Sequence, residues 1–374
     1  MDFKELVTQY SWDETMHSVY QKTAADVENA LASSHPGIDD FMALISPAAE
    51  PYLEQMAQLS RKLTRQRFGN TIQFYVPLYL TNACTNHCIY CGFNHNNKIQ
   101  RIVLTLQEIS DEMKAIKKIG PFEHILLVTG ESPRHAGVDY MEKAIRAARE
   151  HFSAVSLEVQ PLETEEYSRL IDAGLNSVYV YQETYNKERY SVYHPAGKKR
   201  DYYYRVDTPD RLGKAGIRRI GMGVLIGLED WRTDCVFMAR HLTYLQKKYW
   251  RTKYSISFPR MRPHKGEGFK PNVVMTDRQL AQLIFAFRIF DNDVEMALST
   301  RESASFRDNM LPLGVTNYSA GSKTEPGGYA TYPQALEQFA VNDSRSPEEV
   351  VTAVKERGYE VVWKDWDDVL NQPV

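Results

Sequence analysis

Cysteine is scarce in this sequence, with four residues in 374. So sparse a set does not make a disulfide framework for a chain of this length. Cys84, Cys88 and Cys91 sit close together, and a metal site in a reducing compartment fits that clustering better. Long apolar runs are missing too, since none approaches the roughly 20 residues that span a bilayer. The first residues include Asp2, Glu5, Asp13 and Glu14 where a secretory leader would be basic and then apolar, so a cytoplasmic location and no membrane association are expected. There is no basic excess either. A net charge of -3 and a pI near 6.4 offer little to a polyanion, and Lys198, Lys199 and Arg200 form only a short run, which argues against nucleic acid as a partner. No repeat of solenoid length and no low-complexity segment is present.

What is present is the composition of an ordinary globular protein, 43% hydrophobic and 25% charged, in a chain long enough to bury a large core. The first 70 residues carry helical patterns, with Thr23 placed to cap one helix and residues 51–67 apolar at helical spacing. Eight β-rich runs follow, at 72–80, 124–129, 154–160, 176–182, 217–226, 254–258, 294–299 and 314–319, with helix-length amphipathic segments between most of them. Eight such runs imply an α/β fold, a (β/α)8 TIM-like barrel. The division expected is a helical N-terminal extension over 1–70, the barrel over 71–320, and a C-terminal extension over 321–374 packed on it. Within that extension a helix is expected near 347–357 and a short β-rich piece from Tyr359 to Trp363.

In such a barrel, reactive residues belong at the C-terminal ends of strands and in the loops after them. The cysteine loop follows the first run, Thr129-Gly130-Glu131 closes the second, Glu158 the third and Gln182-Glu183 the fourth. A C-x3-C-x2-C loop lets one turn supply three thiolates to an iron–sulfur cluster, leaving one iron without a protein ligand. Zinc is the alternative, with His87 or His95 recruited, although structural zinc wants four ligands. Cys235 lies alone in an apolar stretch, where a packed structural thiol is expected.

Gly130 allows close backbone approach to a ligand at its strand end. Glu158 ends an otherwise apolar run, where an unpaired carboxylate would be costly, so it either joins an ion pair or binds a ligand. The glycines of Gly221-Met-Gly-Val-Leu-Ile-Gly227 lack the helix-opening arrangement of a dinucleotide fingerprint.

The aromatic Tyr90 between the last two cysteines, and Gly92-Phe93 after them, resemble the signature of the radical S-adenosylmethionine (SAM) superfamily. Across the chain, Lys22-Thr-Ala-Ala-Asp-Val-Glu28, Leu63-Thr-Arg-Gln-Arg-Phe-Gly-Asn70, Phe74-Tyr-Val-Pro-Leu-Tyr-Leu80, Leu127-Val-Thr-Gly-Glu131, Tyr181-Gln-Glu-Thr-Tyr185, Ser299-Thr-Arg-Glu-Ser303 and Trp363-Lys-Asp-Trp-Asp367 resemble the 2-iminoacetate synthase family, the tyrosine lyases of bacterial thiamine biosynthesis. The resemblance implies a radical SAM barrel with a [4Fe-4S] cluster on Cys84, Cys88 and Cys91. It implies SAM held by Tyr90, Phe93, Thr129, Gly130, Glu131 and Glu158, and by Gln182 or Glu183, the choice between them open. Reductive cleavage of SAM to methionine would generate a 5'-deoxyadenosyl radical that takes hydrogen from the amino group of L-tyrosine. The Cα–Cβ bond then breaks to give 2-iminoacetate and p-cresol.

From related aromatic amino acid lyases, Arg301 is expected to bind the substrate carboxylate, with Ser319 and Tyr79 near its backbone and amine. A salt bridge from Arg301 to Glu302, and Tyr79 as a plain core aromatic, are the structural alternatives. Thiazole synthase is the implied protein partner, and a flavodoxin or ferredoxin the implied electron donor. No cysteine follows Cys235, which argues against the second cluster that hydrogenase maturases use to turn the product into CO and cyanide. A tryptophan lyase and a noncatalytic metal-binding scaffold are the competing functions.

Overall fold

The computed structural model describes residues 2–262 and 269–365. The last two residues of the Trp363–Asp367 resemblance lie outside the described residues.

Eight parallel strands close on themselves: β1 (Thr71–Thr81), β2 (His124–Thr129), β3 (Ala154–Glu158), β4 (Leu175–Tyr179), β5 (Arg219–Gly223), β6 (Lys253–Ser257), β7 (Glu295–Leu298) and β8 (Asn317–Ser319). Neighbours pair in chain order, and β1 closes the ring by pairing with both β2 and β8. The crossovers are helical, as parallel pairing requires. The one at 106–119 begins with a capping box between Thr105 and Glu108, which satisfies two of its open backbone donors.

Five expected runs, the third, fourth, fifth, seventh and eighth, are shorter in the structure, and at two of them the site gains from it. β4 stops at Tyr179, so Gln182 and Glu183 lie in the loop beyond the strand instead of closing it. Glu183 takes φ 71°, the left-handed region that side chains disfavour, and it is the only non-glycine to do so among the described residues. β7 stops at Leu298, which puts Arg301 in the following loop.

Gly221 in β5 has a steric cause. A Cβ there would stand 1.9 Å from the ring of Tyr179, so the glycine lets that ring lie across the barrel interior.

The N-terminal helices cover the outer layer of the barrel. Thr23 caps the helix Ala24–Ala32, and Ile38–Ile45 lays Phe41 against the rings of Phe287 and Phe290, with centroids 4.5 and 5.1 Å away. Phe41 is fully buried, so its truncation to alanine would cost about 3–5 kcal/mol.

The C-terminal segment does more than pack against the outside. After the helix Pro347–Glu356, β9 (Glu360–Val362) pairs in parallel with the first residues of β1. Trp363 then sits edge-on to Phe74 and Phe122. Before that helix, residues 321–345 cross the C-terminal mouth of the barrel. The buried Glu112 carboxylate anchors this strap by accepting from the backbone N–H groups of Tyr329, Ala330 and Thr331 at 2.8, 2.9 and 2.7 Å. A buried ion pair of Arg307 with Asp343 holds its far end.

Candidate active site

The cysteine loop is shaped by hydrogen bonds made to its backbone. Arg101 donates to the carbonyls of Asn82, Phe93, Asn94 and Asn97 at 2.8, 2.9, 2.7 and 3.2 Å, gathering the loop around one guanidinium. On the far side, His87 and Ile89 donate through their backbone N–H groups to the carbonyls of Ala196 and Tyr193. Gly130 passes so close that a Cβ would stand 2.3 Å from the Ala83 carbonyl oxygen, which brings the end of β2 against the loop.

Cys84, Cys88 and Cys91 are free thiols lining one cavity, partly open to solvent. Tyr90, Phe93, Thr129, Gly130, Glu131, Glu158, Glu183 and Arg301 line it as well. Burial pushes the Cys84 thiol up to about 11, helped by the nearby Glu131, and raises Cys88 and Cys91 too. Thiolates here therefore need a cation, which the irons of a cluster supply. The donors fit that group: three soft ligands, room beside them, and a buried Thr129 hydroxyl with no partner within the protein. Among the described residues, no three Cys, His, Asp or Glu side chains close around the position of a single ion. The histidines that zinc would recruit stand with ring centroids 5.0 Å apart, and His95 is engaged with the Cys84 carbonyl.

Two basic residues that the sequence reading did not single out govern the charge. Arg205 donates to Glu131 at 2.9 Å and Lys199 to Glu183 at 2.7 Å, while Asn86 Nδ2 donates to the other oxygen of Glu131 at 2.7 Å. Burial opposes ionisation of Glu131, but Arg205 and Lys199 outweigh it and hold the carboxyl below its ordinary value. Tyr90 donates to His194 Nε2 at 2.7 Å, and His194 Nδ1 lies 2.8 Å from the Tyr190 carbonyl. That network fixes the Tyr90 ring beside the cysteines. Gln182, one of the two alternatives that the sequence left open, lies apart from Glu183. Its amide is buried with neither atom hydrogen-bonded, and it lines neither this cavity nor the next.

A second cavity runs down the barrel axis from the mouth. Its upper wall carries Tyr79, Glu158, Arg301 and Ser319, and its lower wall Gln73, His124, Arg219 and Asn317. Glu158, Tyr179, Tyr181, Arg301 and Phe339 belong to both cavities, so the two meet at that seam.

Arg301 is not paired with Glu302, whose carboxylate is taken by Arg260 and Arg262. Its guanidinium instead lies 3.4 Å from the Phe339 ring centroid. Ser319 Oγ accepts from the Thr300 backbone at 3.1 Å, tethering the loop that carries Arg301. Tyr79 donates to Gln338 Oε1 at 2.8 Å, and Gln338 Nε2 stands 3.9 Å from Cys91 Sγ. Gln338 and Phe339, on the strap, were absent from the residues expected by sequence. Nothing in Glu337-Gln-Phe-Ala340 signals a contact with a loop so far back in the chain.

Comparison with known proteins adds a second line of observation. Residues 78–234 match the model of the radical SAM superfamily, and residues 257–360 that of the biotin and thiamin synthesis associated domain. The chain is 51% identical over 371 residues to the 2-iminoacetate synthase of Salmonella typhimurium and 52% identical over 371 residues to that of Escherichia coli. Each alignment covers 99% of this chain and 98% of the relative. Among solved structures, the hydrogenase maturase HydG from Carboxydothermus hydrogenoformans superposes with a TM-score of 0.86 at 28% identity, covering 96% of this chain and 82% of that one. Methylornithine synthase shares the fold, with a TM-score of 0.73 at 19% identity over 92% of this chain and 99% of the other.

Proposed function

The chain belongs to the 2-iminoacetate synthase family of radical SAM enzymes, and from that premise we propose that it cleaves the Cα–Cβ bond of L-tyrosine to 2-iminoacetate and p-cresol, the imine serving the thiazole of thiamine. The observation that carries this reading is identity of 51% with a 2-iminoacetate synthase along almost the whole of both chains. Its cofactors are a [4Fe-4S] cluster and SAM, which when bound supply one-electron reductive cleavage and with it the means to abstract hydrogen.

Cys84, Cys88 and Cys91 would hold the cluster, three thiolates that leave one iron without a protein ligand. Tyr90 and Phe93, which line the same cavity, would hold the adenine part of SAM. Thr129, Gly130, Glu131 and Glu183 surround the remainder of SAM, and Lys199 and Arg205 fix the two carboxylates. Arg301 binds the tyrosine carboxylate through two parallel N–H bonds, since its planar fork matches that group. Tyr79 and Ser319 line the substrate side, Ser319 also steadying the Arg301 loop. Phe339 and Gln338 cover the mouth, and excluding water there protects an imine that hydrolyses readily.

That lability supports handover to thiazole synthase within a complex, and a flavodoxin or ferredoxin suits the electron supply. Among the described residues no helix is long and apolar enough to cross a membrane.

Anaerobic incubation with SAM, a reductant and L-tyrosine tests the reading. Release of p-cresol together with glyoxylate, the hydrolysis product of 2-iminoacetate, is the expected result. Absence of both, or turnover of L-tryptophan in place of tyrosine, overturns it.

A further inference from the structure

Three carboxylates stand near neighbouring strand ends, and their circumstances differ. Glu131 and Glu183 are each held by a buried cation, Arg205 and Lys199 respectively. Glu158, the last residue of β3, makes no hydrogen bond or ion pair among the described residues. Leaving a carboxylate single inside a barrel is costly unless a ligand completes it. Arg301 is in the same position, its guanidinium meeting only the face of Phe339. These two unpaired groups of opposite charge share the seam between the cavities, and each acts on the other, since Arg301 stabilises the ionised form of Glu158.

We propose that Glu158 and Arg301 together form a receptor for the α-amino acid end of the substrate, Arg301 taking the carboxylate and Glu158 the α-ammonium, and that Glu158 then accepts the ammonium proton. This rests on the tyrosine lyase reading above. The transfer is balanced: an N–H bond of the ammonium breaks, an O–H bond forms on Glu158, and two opposite charges become a neutral amine and a neutral acid. No electron moves. The amine is then uncharged when its hydrogen is abstracted.

The methionyl end of SAM is also an α-amino acid, but two features assign this pair to the substrate. The carboxylates confined to the cysteine cavity already have protein cations, whereas Glu158 and Arg301 also line the axial cavity. That cavity is lined by the apolar Leu126, Phe258 and Leu298 and by the polar groups of Ser156, Tyr75 and Tyr179, a mixed lining that suits a phenol.

The electrostatic setting supports the proton transfer. Burial pushes the Glu158 carboxyl up to about 7, with Arg301 opposing the rise. Burial lowers an ammonium in the same way, which narrows the gap between the two. The other groups facing Glu158 are Tyr75 and Tyr79 on β1, Tyr179 on β4, Tyr181 and Glu183 after β4, and Lys199 and Arg205 beyond them. The tyrosines are all raised, burial being the main cause, and stay neutral in this range.

The test compares L-tyrosine with 3-(4-hydroxyphenyl)propanoate, which lacks the amine, by calorimetry on cluster-loaded protein holding SAM without reductant. Wild type is expected to prefer tyrosine by roughly tenfold or more. In Glu158→Gln the preference disappears while propanoate affinity holds, and with reductant present the rise of p-cresol release through pH 7 is lost. Glu158→Asp is expected to keep the preference with the pH limb displaced, which preserves the test if the glutamine variant misfolds. A Glu158→Gln protein that keeps the preference overturns the proposal, as does one that loses SAM affinity instead. Loss of the preference in Glu158→Gln, from a wild type that yields neither p-cresol nor glyoxylate, would uphold the receptor and reject only the lyase reading.

Discussion

In the cysteine cavity, Glu131 and Glu183 are paired with Arg205 and Lys199; at the seam where that cavity meets the axial one, Glu158 and Arg301 remain single. The first arrangement is complete within the protein and holds its shape before any ligand arrives. The second is complementary to a molecule carrying both charges. The difference separates the part of the site that is prefolded for a cofactor from the part that recognises a substrate, although both open from the same mouth.

The largest effect should come from breaking the cysteine side. Cys88→Ala is expected to abolish 5'-deoxyadenosine formation while leaving the far-UV circular dichroism unchanged, because Cys88 sits in a loop outside the strands. Undiminished 5'-deoxyadenosine would place the cluster elsewhere. Next comes the pairing itself. Arg205→Met strips Glu131 of its closest cation and leaves Lys199, 4.0 Å away, and Asn86 to hold it, so it should cost up to about 3 kcal/mol of stability in a denaturant titration. An unmoved midpoint would mean that solvent already serves Glu131.

The axial side should respond more gently and in a different observable. Arg301→Ala is expected to weaken tyrosine binding by about 1.5–3 kcal/mol, roughly 10- to 150-fold. Iron and sulfide content should not change, because the Arg301 guanidinium packs on Phe339 and makes no hydrogen bond to the cysteine loop among the described residues. Lost iron with normal tyrosine affinity would reverse the contrast between the two cavities.

Much of this site was legible because its residues keep company along the chain. The spacing of Cys84, Cys88 and Cys91 can be read within one loop, and Thr129, Glu131 and Glu158 are marked by polarity at the ends of apolar runs. Gln182 and Glu183 could not be separated that way, since adjacent polar residues have the same local signal. Only the turn at Glu183, with its positive φ, puts that side chain in the cavity and leaves Gln182 outside the lining. Arg205 and Arg101 went unmarked, and Lys199 counted only as part of a short basic run, because basic residues usually face water and nothing local shows that these are buried against acids or loop carbonyls.

The sequence by itself determined the alternation of strand and helix, the strand order that follows from short right-handed crossovers, and the chemistry of the cysteine loop. These depend on interactions between residues close in the chain, whose periodicity and spacing are written directly. The tertiary structure decided which charges were paired and which left single, how Gln338 and Phe339 came to lie over a loop nearly 250 residues earlier, and where the two cavities join. Those outcomes depend on burial and on distances across the closed barrel, which exist only once the chain has folded.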